Sequence, residues 1–361
     1  MNKSFWIQSI QLFNKTNSFS ALQRYTSNLS SAAVQQVQHT KSTDLSSDTT
    51  NPYYPGSSCK FVSKLQLHKP SPVIDAYRIL NTYGQLVDTS YKLHLTDNEL
   101  ISIYKYMVEL QCMDSIFYDA QRQGRISFYM QNSGEEAIQI GSAAALHSDD
   151  MIFAQYREAG VLLYRGFTIE NFANQLFSTH IDVGKGRQMP VHYGSKKLHW
   201  QTISSPLGTQ LPQAAGAAYA LKRENQSISD INKHRIVVCY FGEGAASEGD
   251  FHSAINMAAT LSCPVLYFVR NNGYAISTPS REQYKGDGIA SRASGYGINC
   301  IRVDGNDVLA VHEATQYARK CIVENNQPII LEAMSYRGGH HSTSDDSTRY
   351  RGVEEIAHWY V

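Results

Sequence analysis

Gly242-Glu243-Gly244-Ala245-Ala246-Ser247-Glu248-Gly249-Asp250, followed later by Arg270-Asn271-Asn272-Gly273-Tyr274, decides how this chain is read. The first tract follows Ile236-Val237-Val238-Cys239-Tyr240-Phe241, an unbroken apolar run of strand length. Such a run reads as a parallel strand buried on both faces. Ser247 and Asp250 read as a capping pair that opens a helix, with Ile255, Met257, Ala258 and Leu261 on its apolar face. A second buried strand follows, Val265-Leu266-Tyr267-Phe268-Val269. Glu243 and Asn272 then stand at the carboxyl ends of two strands of one sheet. Open α/β sheets bind their ligands at that edge. A carboxylate and an amide oxygen beside glycine backbone suit a hard cation such as Mg²⁺, which takes the rest of its shell from phosphate and water.

Two other readings compete. A dinucleotide fingerprint needs Gly-x-Gly-x-x-Gly and an acidic residue at the end of the second strand. Here the third glycine is displaced and the strand ends in Arg-Asn-Asn. A tight strand-to-helix turn explains the glycines on backbone grounds, but leaves Glu243 and Asn272 without a reason.

The rest of the chain supports an α/β protein. Thr96-x-x-Glu99 is a capping-box signal, with Leu100, Ile103, Tyr104, Met107, Leu110 and Met113 behind it at helical spacing. Ser133-x-x-Glu136 reads as a second such opening, with Ala137, Ile138 and Ile140 following. Shorter helical patterns cover Val161–Tyr164 and Phe172–Phe177, and Ala214–Ala220 is a helix of small residues. Arg223–His234 is polar and reads as a surface loop. Strand Ile301–Val303, helix Val308–Val323 and strand Ile329–Met334 continue an alternation that predicts a doubly wound, mostly parallel sheet flanked by helices.

With 361 residues the chain is long enough for one large or two modest domains. Lys and Arg total 32 against 32 Asp and Glu, so neither nucleic acid nor an anionic membrane surface is the expected partner. No apolar run approaches the length of a membrane span. Residues 1–43 carry Lys3, Lys15, Arg24 and Lys41 and no acid, with aromatic and aliphatic residues spaced among Ser, Thr, Asn and Gln. That is the composition of a mitochondrial transit peptide and predicts a matrix protein. Residues 44–95, with Pro52, Pro55, Pro70 and Pro72, read as an arm that wraps a neighbour, and 96–361 as the α/β domain. The six cysteines show no close pairing, so neither a disulfide framework nor a zinc site is expected.

The strand–helix–strand unit resembles the diphosphate-cradling motif of thiamine diphosphate enzymes. Four further tracts add to this. They are Gln155-Tyr156-Arg157-Glu158-Ala159-Gly160, Lys185–Tyr193, Ser204-Ser205-Pro206-Leu207-Gly208-Thr209-Gln210 and Tyr336–Asp346. In this order they are closely similar to the alpha subunits of branched-chain 2-oxo acid dehydrogenases, over roughly residues 70–357. Alpha subunits of pyruvate dehydrogenase and a non-catalytic regulatory paralogue are the alternatives. The tract Arg270–Thr278 and the His340-His341 pair before Ser342 favour the branched-chain family.

The resemblance implies a thiamine diphosphate-binding fold and a role for each candidate. Glu243, Asn272 and the Tyr274 carbonyl would ligate Mg²⁺, and Gly242 and Ala245 would let the backbone close on the diphosphate. Arg157, Arg270 and His341 would hold phosphate oxygens, with Tyr156 beside them and His341 as the catalytic group. Gln155, Ser205 and Leu207 would line the aminopyrimidine and substrate side. Ser204, Pro206, Thr209 and Gln210 match a K⁺ site, although without the resemblance they read as a turn and a helix cap. Ser342 would be the regulatory phosphorylation site, while a second phosphorylatable serine of the family falls on Gly352. Implied partners are a beta subunit in an α2β2 heterotetramer, the lipoyl transacylase core, and a kinase and phosphatase. The carboxylate that activates the thiamine pyrimidine is expected from the beta subunit, because no second α/β domain is evident here. The chain departs from the family by an insertion at 224–234 and by lacking the closing helices, which reads as a fragment or a truncated isoform.

Overall fold

The computed structural model describes residues 62–69 and 72–359. The leader reading for 1–43 and the first part of the arm lie outside the described residues. The chain divides into two units at His68 and Lys69. Residues 62–68 are exposed and form no regular element.

Helix α1 (Asp97–Arg122) begins at Thr96 with both halves of the capping box in place. It buries Ile103, Leu110, Met113 and Phe117. Helix α2 (Glu136–Ala144) leads into strand β1 (Met151–Phe153), then helices α3 (Ala159–Tyr164) and α4 (Ile169–Leu176). Helix α5 (Gln210–Asn225) precedes strand β2 (Val237–Gly242), helix α6 (Gly249–Thr260) and strand β3 (Val265–Asn271). A small antiparallel pair follows, β4 (Tyr274–Ala275) with β5 (Thr278–Pro279), and a one-turn helix α7 (Ser280–Gln283). Strand β6 (Asn299–Asp304), helix α8 (Val308–Asn325), strand β7 (Ile329–Met334) and helix α9 (Val353–His358) complete the unit.

The main sheet has strand order β1-β2-β3-β7-β6, and every neighbouring pair is parallel. Alternation along each strand divides the core. Val238, Tyr240, Leu266, Phe268 and Leu331 pack with Ile138 of α2 and Ala310, Val311 and Ala314 of α8. Val237, Cys239, Phe241, Val265, Tyr267 and Ile330 pack with Leu211 and Ala214 of α5 and Phe251 and Ile255 of α6. Helices therefore cover both faces, which is why the strands read as continuous apolar runs. Residues 74–80 lie along the β6 edge of the sheet. Tyr77 N donates to Arg302 O and Asp304 N to Tyr77 O, both at 2.9 Å. Asp307 Oδ2 accepts from the main-chain nitrogens of Ile79 and Leu80 at 2.7 and 2.6 Å.

Several local expectations are corrected. Helix α6 starts at Gly249 behind an N-cap Glu248 that makes no side-chain cap bond, so Ser247 and Asp250 do not cap it. Its buried face is Phe251, Ala254, Ile255 and Ala258, whereas Met257 and Leu261 are exposed. Helix α2 likewise starts later than the expected frame, with Glu135 instead of Ser133 as its N-cap and no capping box. Helix α4 has a capping box that the periodicity missed, Thr168 with Asn171. Helix α5 runs to Asn225, so the polar loop begins later than Arg223.

Candidate metal and diphosphate site

The register pairs Gly242 with Arg270 and Asn271 with Met334, which brings three strand ends to one edge. Glu243 N–H donates to Arg270 O at 3.3 Å, so Glu243 steps off β2 directly beside the end of β3. Its side chain is buried, and Oε1 has no hydrogen-bond partner among the described residues. Burial, helped by the Glu135 charge, raises its pKa to about 7 against the opposing pull of its own main-chain N–H, the Arg270 charge and the Asn272 main-chain N–H. A buried carboxylate oxygen without a donor calls for a cation. Gly242 leaves space next to this oxygen's strand end: an added Cβ would meet only Arg270 O, at 3.9 Å. The tight approach is at Gly244, whose Cβ would come within 2.6 Å of Ala275 Cβ. That glycine, not Gly242, is required by packing, because it seats the first loop on the β4–β5 hairpin. Ala245 is buried in the turn that follows.

Asn272 lies between two groups. Its Nδ2 donates to Glu135 Oε1 at 2.6 Å, and its Oδ1 accepts from Tyr274 N–H at 3.2 Å. Gly273, at φ +83°, makes the turn between them, a conformation that favours glycine. Tyr274 is anchored through its hydroxyl to Glu355 at 2.7 Å. Among the described residues no group of three or more His, Cys, Asp or Glu gathers as a metal cluster. A cation at this edge would therefore draw on amide, carbonyl and phosphate oxygens beside a single carboxylate.

The sequence reading gives Arg157, Arg270 and His341 to phosphate oxygens. In the structure two of the three Arg270 guanidinium nitrogens are paired with carboxylates. The side chain is fully buried, with Nη1 on Glu135 Oε2 at 2.7 Å and Nε on Glu158 Oε1. A buried guanidinium needs such partners, and breaking a buried pair by removing one member costs about 3–5 kcal/mol. Arg157 donates from Nη1 to Gln131 O and from Nη2 to His341 O, the latter at 2.8 Å. Arg157 Nη2 and Arg337 Nη1 also lie 3.4 Å from His341 Nδ1. Both guanidinium groups can only donate, so Nδ1 is the acceptor and the ring proton sits on Nε2. Burial, then the Arg157 and Arg337 charges, push the His341 pKa down to about 3. His341 is thus a neutral donor through Nε2 at physiological pH. Tyr156 meets its ring edge-on at 5.9 Å.

Gln155 is buried and ties the end of β1 to the glycine loop: its Oε1 accepts from Gly242 N–H at 3.0 Å. Ser205 is exposed and hydrogen-bonds His192 Nε2 at 2.7 Å, while His192 Nδ1 is held 2.9 Å from Pro190 O. Leu207 is exposed on the same loop. Of the potassium candidates, Thr209 Oγ1 donates to Pro206 O at 3.3 Å, Gln210 Nε2 donates to Tyr240 O at 3.1 Å, and Ser204 is exposed. Thr209 precedes α5 but makes no cap bond. Ser342 is half-buried and accepts from Ser344 N–H at 3.3 Å. Beside it, Asp345 Oδ2 accepts from His341 N–H at 2.7 Å and from Tyr350 OH at 2.6 Å.

Four residues that sequence reasoning passed over shape this site: Glu135, Glu158, His192 and Arg337. Glu158 stands inside a tract singled out for its neighbours, and Glu135 directly precedes an apolar helix. An acid at the start of an apolar run was the available signal, since it predicts burial and hence a partner.

Comparison with known proteins places this geometry. A model of the dehydrogenase E1 component matches residues 104–360. The chain is 55% identical over 323 residues to the mitochondrial 2-oxoisovalerate dehydrogenase subunit alpha of Macaca fascicularis, covering 89% of this chain and 71% of that protein. It is 56% identical over 310 residues to the protein of the same name from Homo sapiens, covering 85% and 68%. For the Dictyostelium discoideum protein of that name the identity is 52% over 334 residues, covering 90% and 74%. With the match spanning the glycine loop, both asparagines and the His341 loop, the chain belongs to the dehydrogenase E1 component family.

Proposed function

We propose that this chain is the alpha subunit of a mitochondrial branched-chain 2-oxo acid dehydrogenase. In this reading it takes part in the oxidative decarboxylation of branched-chain 2-oxo acids, with acyl transfer to lipoamide. The observation that carries the site assignment is the buried, unpartnered Glu243 oxygen at the strand edge it shares with Asn272. The relatives named above, alpha subunits of 2-oxoisovalerate dehydrogenase, support the substrate class.

The residues present fit Mg²⁺ and a diphosphate. Glu243 and Asn272 Oδ1 would hold the metal, with the Tyr274 carbonyl as a further oxygen. Thiamine diphosphate, when bound, supplies the electron sink for decarboxylation. The protein's part is to bind and orient. His341 offers a neutral N–H to an oxyanion and neither gains nor loses a proton near neutrality. Gln155 holds the glycine loop through Gly242 N–H, and the Arg270 ion pairs tie the strand edge to Glu135 and Glu158. Ser205 and Leu207 are exposed on a loop suited to line the substrate side. K⁺ at Ser204, Pro206, Thr209 and Gln210 would brace that loop. The beta subunit of the proposed heterotetramer completes the site with the carboxylate for the pyrimidine ring. The proposed compartment is the matrix, with residues 1–43 as the leader, and the proposed wider partners are the lipoyl transacylase core, a kinase and a phosphatase.

Co-expression with the beta subunit tests this reading. The assembled protein is expected to release CO₂ from 3-methyl-2-oxobutanoate in a thiamine diphosphate-dependent way, with kcat/KM at least about tenfold above that for pyruvate, which is smaller by two carbons, since a single methylene is already worth about tenfold or more. This chain alone is expected to release none. Preference for pyruvate would transfer the chain to the pyruvate branch of the family. Turnover without the partner would contradict the half-site.

A further inference from the structure

We propose that Glu135 is a positioning residue that sets the orientation of the Asn272 side-chain amide, turning Oδ1 toward the metal. The inference rests on the reading of Asn272 as a metal ligand and extends it to a residue remote in sequence.

Glu135 is completely buried at the start of α2. Its two oxygens have separate duties. Oε2 accepts from Arg270 Nη1 at 2.7 Å, and Oε1 accepts from Asn272 Nδ2 at 2.6 Å. Held against Arg270, the carboxylate carries lone pairs only, so the group it faces on Asn272 must be the NH₂. A flipped amide would set oxygen against oxygen at contact distance. Oδ1 is therefore turned away from Glu135. It takes the Tyr274 N–H at 3.2 Å and keeps a second lone pair for another partner. Because both Glu135 oxygens are occupied, this carboxylate is not itself a candidate ligand. Arg270, also paired with Glu158, fixes where Glu135 sits. The arrangement is that of an outer carboxylate orienting a ligand, a role that typically governs metal affinity by about 10–100-fold.

The test uses the protein assembled with its beta partner. Mn²⁺ is titrated in the presence of thiamine diphosphate, free Mn²⁺ is read by electron paramagnetic resonance, and a melting curve accompanies each variant. Glu135→Gln lets the Asn272 amide flip and is expected to weaken Mn²⁺ binding by about 10–100-fold. Asn272→Asp adds a charged oxygen, which on ligand chemistry alone would tighten binding. Against Glu135 it places two carboxylates in contact, and the expected result is at least about tenfold weaker binding. Combining Glu135→Gln with Asn272→Asp restores the hydrogen bond with reversed polarity, since the introduced amide can donate to the introduced carboxylate. The affinity of this double variant is expected to return to within about threefold of the parent, a coupling that independent effects cannot give. A merely structural role would not produce this rescue. Binding by Asn272→Asp as tight as the parent, or a double variant no better than the single ones, overturns the proposal. If Glu135→Gln fails to fold, Asn272→Asp still decides, because it leaves Glu135 and Arg270 in place. The metal reading itself fails separately, if Asn272→Ala and Glu243→Ala bind Mn²⁺ like the parent.

Discussion

Replacing Glu243 or Asn272 by alanine is expected to abolish Mg²⁺-dependent binding of thiamine diphosphate while the fold survives. Each change removes one oxygen from a small octahedral shell. Loss of an outer partner alone costs about 10–100-fold, so loss of a ligand is expected to exceed about 100-fold. The two variants should differ in stability. Glu243 is a buried carboxylate whose Oε1 is unpartnered, so Glu243→Ala relieves a desolvation cost that offsets the lost bonds from main-chain N–H groups, and it should melt close to the metal-free parent. Asn272→Ala strips Glu135 Oε1 and the Tyr274 amide of a partner and should melt lower. Calorimetric titration of cofactor, with and without Mg²⁺, checks the first expectation, and thermal unfolding without metal checks the second. Parent-like cofactor affinity in either variant would dismiss the metal assignment.

Phosphorylation of Ser342 is expected to inactivate the assembled enzyme. The added group carries about −1.5 to −2 charges and three acceptor oxygens. It would arrive next to Asp345, which holds the His341 amide and the Tyr350 hydroxyl. Two anions there repel, and the Asp345 grip on His341 loosens. The same phosphate would compete for Arg157 and Arg337, which flank the His341 ring. Both effects act on the group offered to the diphosphate. A coupling of about 1–3 kcal/mol corresponds to roughly 5–150-fold in cofactor affinity. Ser342→Glu, with one charge, should show a smaller loss in the same direction, and Ser342→Ala should resist the proposed kinase. Full inactivation of Ser342→Ala by that kinase would place the control point elsewhere. Gly352, where the resemblance has a second serine, cannot carry it.

What was legible in the sequence follows contiguity. Strand, glycine loop, helix, strand and Asn-Asn form one stretch, and β2, β3 and β7 fall on the expected apolar runs. Strands buried on both faces announce themselves because nothing polar interrupts them. The ion-pair centre of the site was not legible, since it is assembled across distance. Glu135 lies 135 positions from Arg270, and Glu158 lies 112. Read locally, each is one more charge near a helix start. Ser133-x-x-Glu136 shows the same limit from the other side. Its spacing matches a capping box, yet Glu135, at φ −123° and ψ 12°, takes the cap position. The demand that Glu135 reach Arg270 and Asn272 places it there, a tertiary requirement that overrides a local signal. Arg270 reads as a phosphate ligand in the sequence because arginine suits a phosphate so well. Only the depth of burial reveals that its Nε and Nη1 are committed to carboxylates.

Glu243 and Asn272 are proposed to hold a cation against a diphosphate at one strand edge. The most direct test is anomalous X-ray scattering from crystals of the assembled protein grown with Mn²⁺ and thiamine diphosphate. One strong peak is expected at this edge, at about 2.1 Å from a Glu243 carboxylate oxygen and from Asn272 Oδ1, the distance of a small octahedral dication. Diphosphate oxygens should complete its shell. A peak elsewhere, with Glu243 and Asn272 left bare, would contradict it.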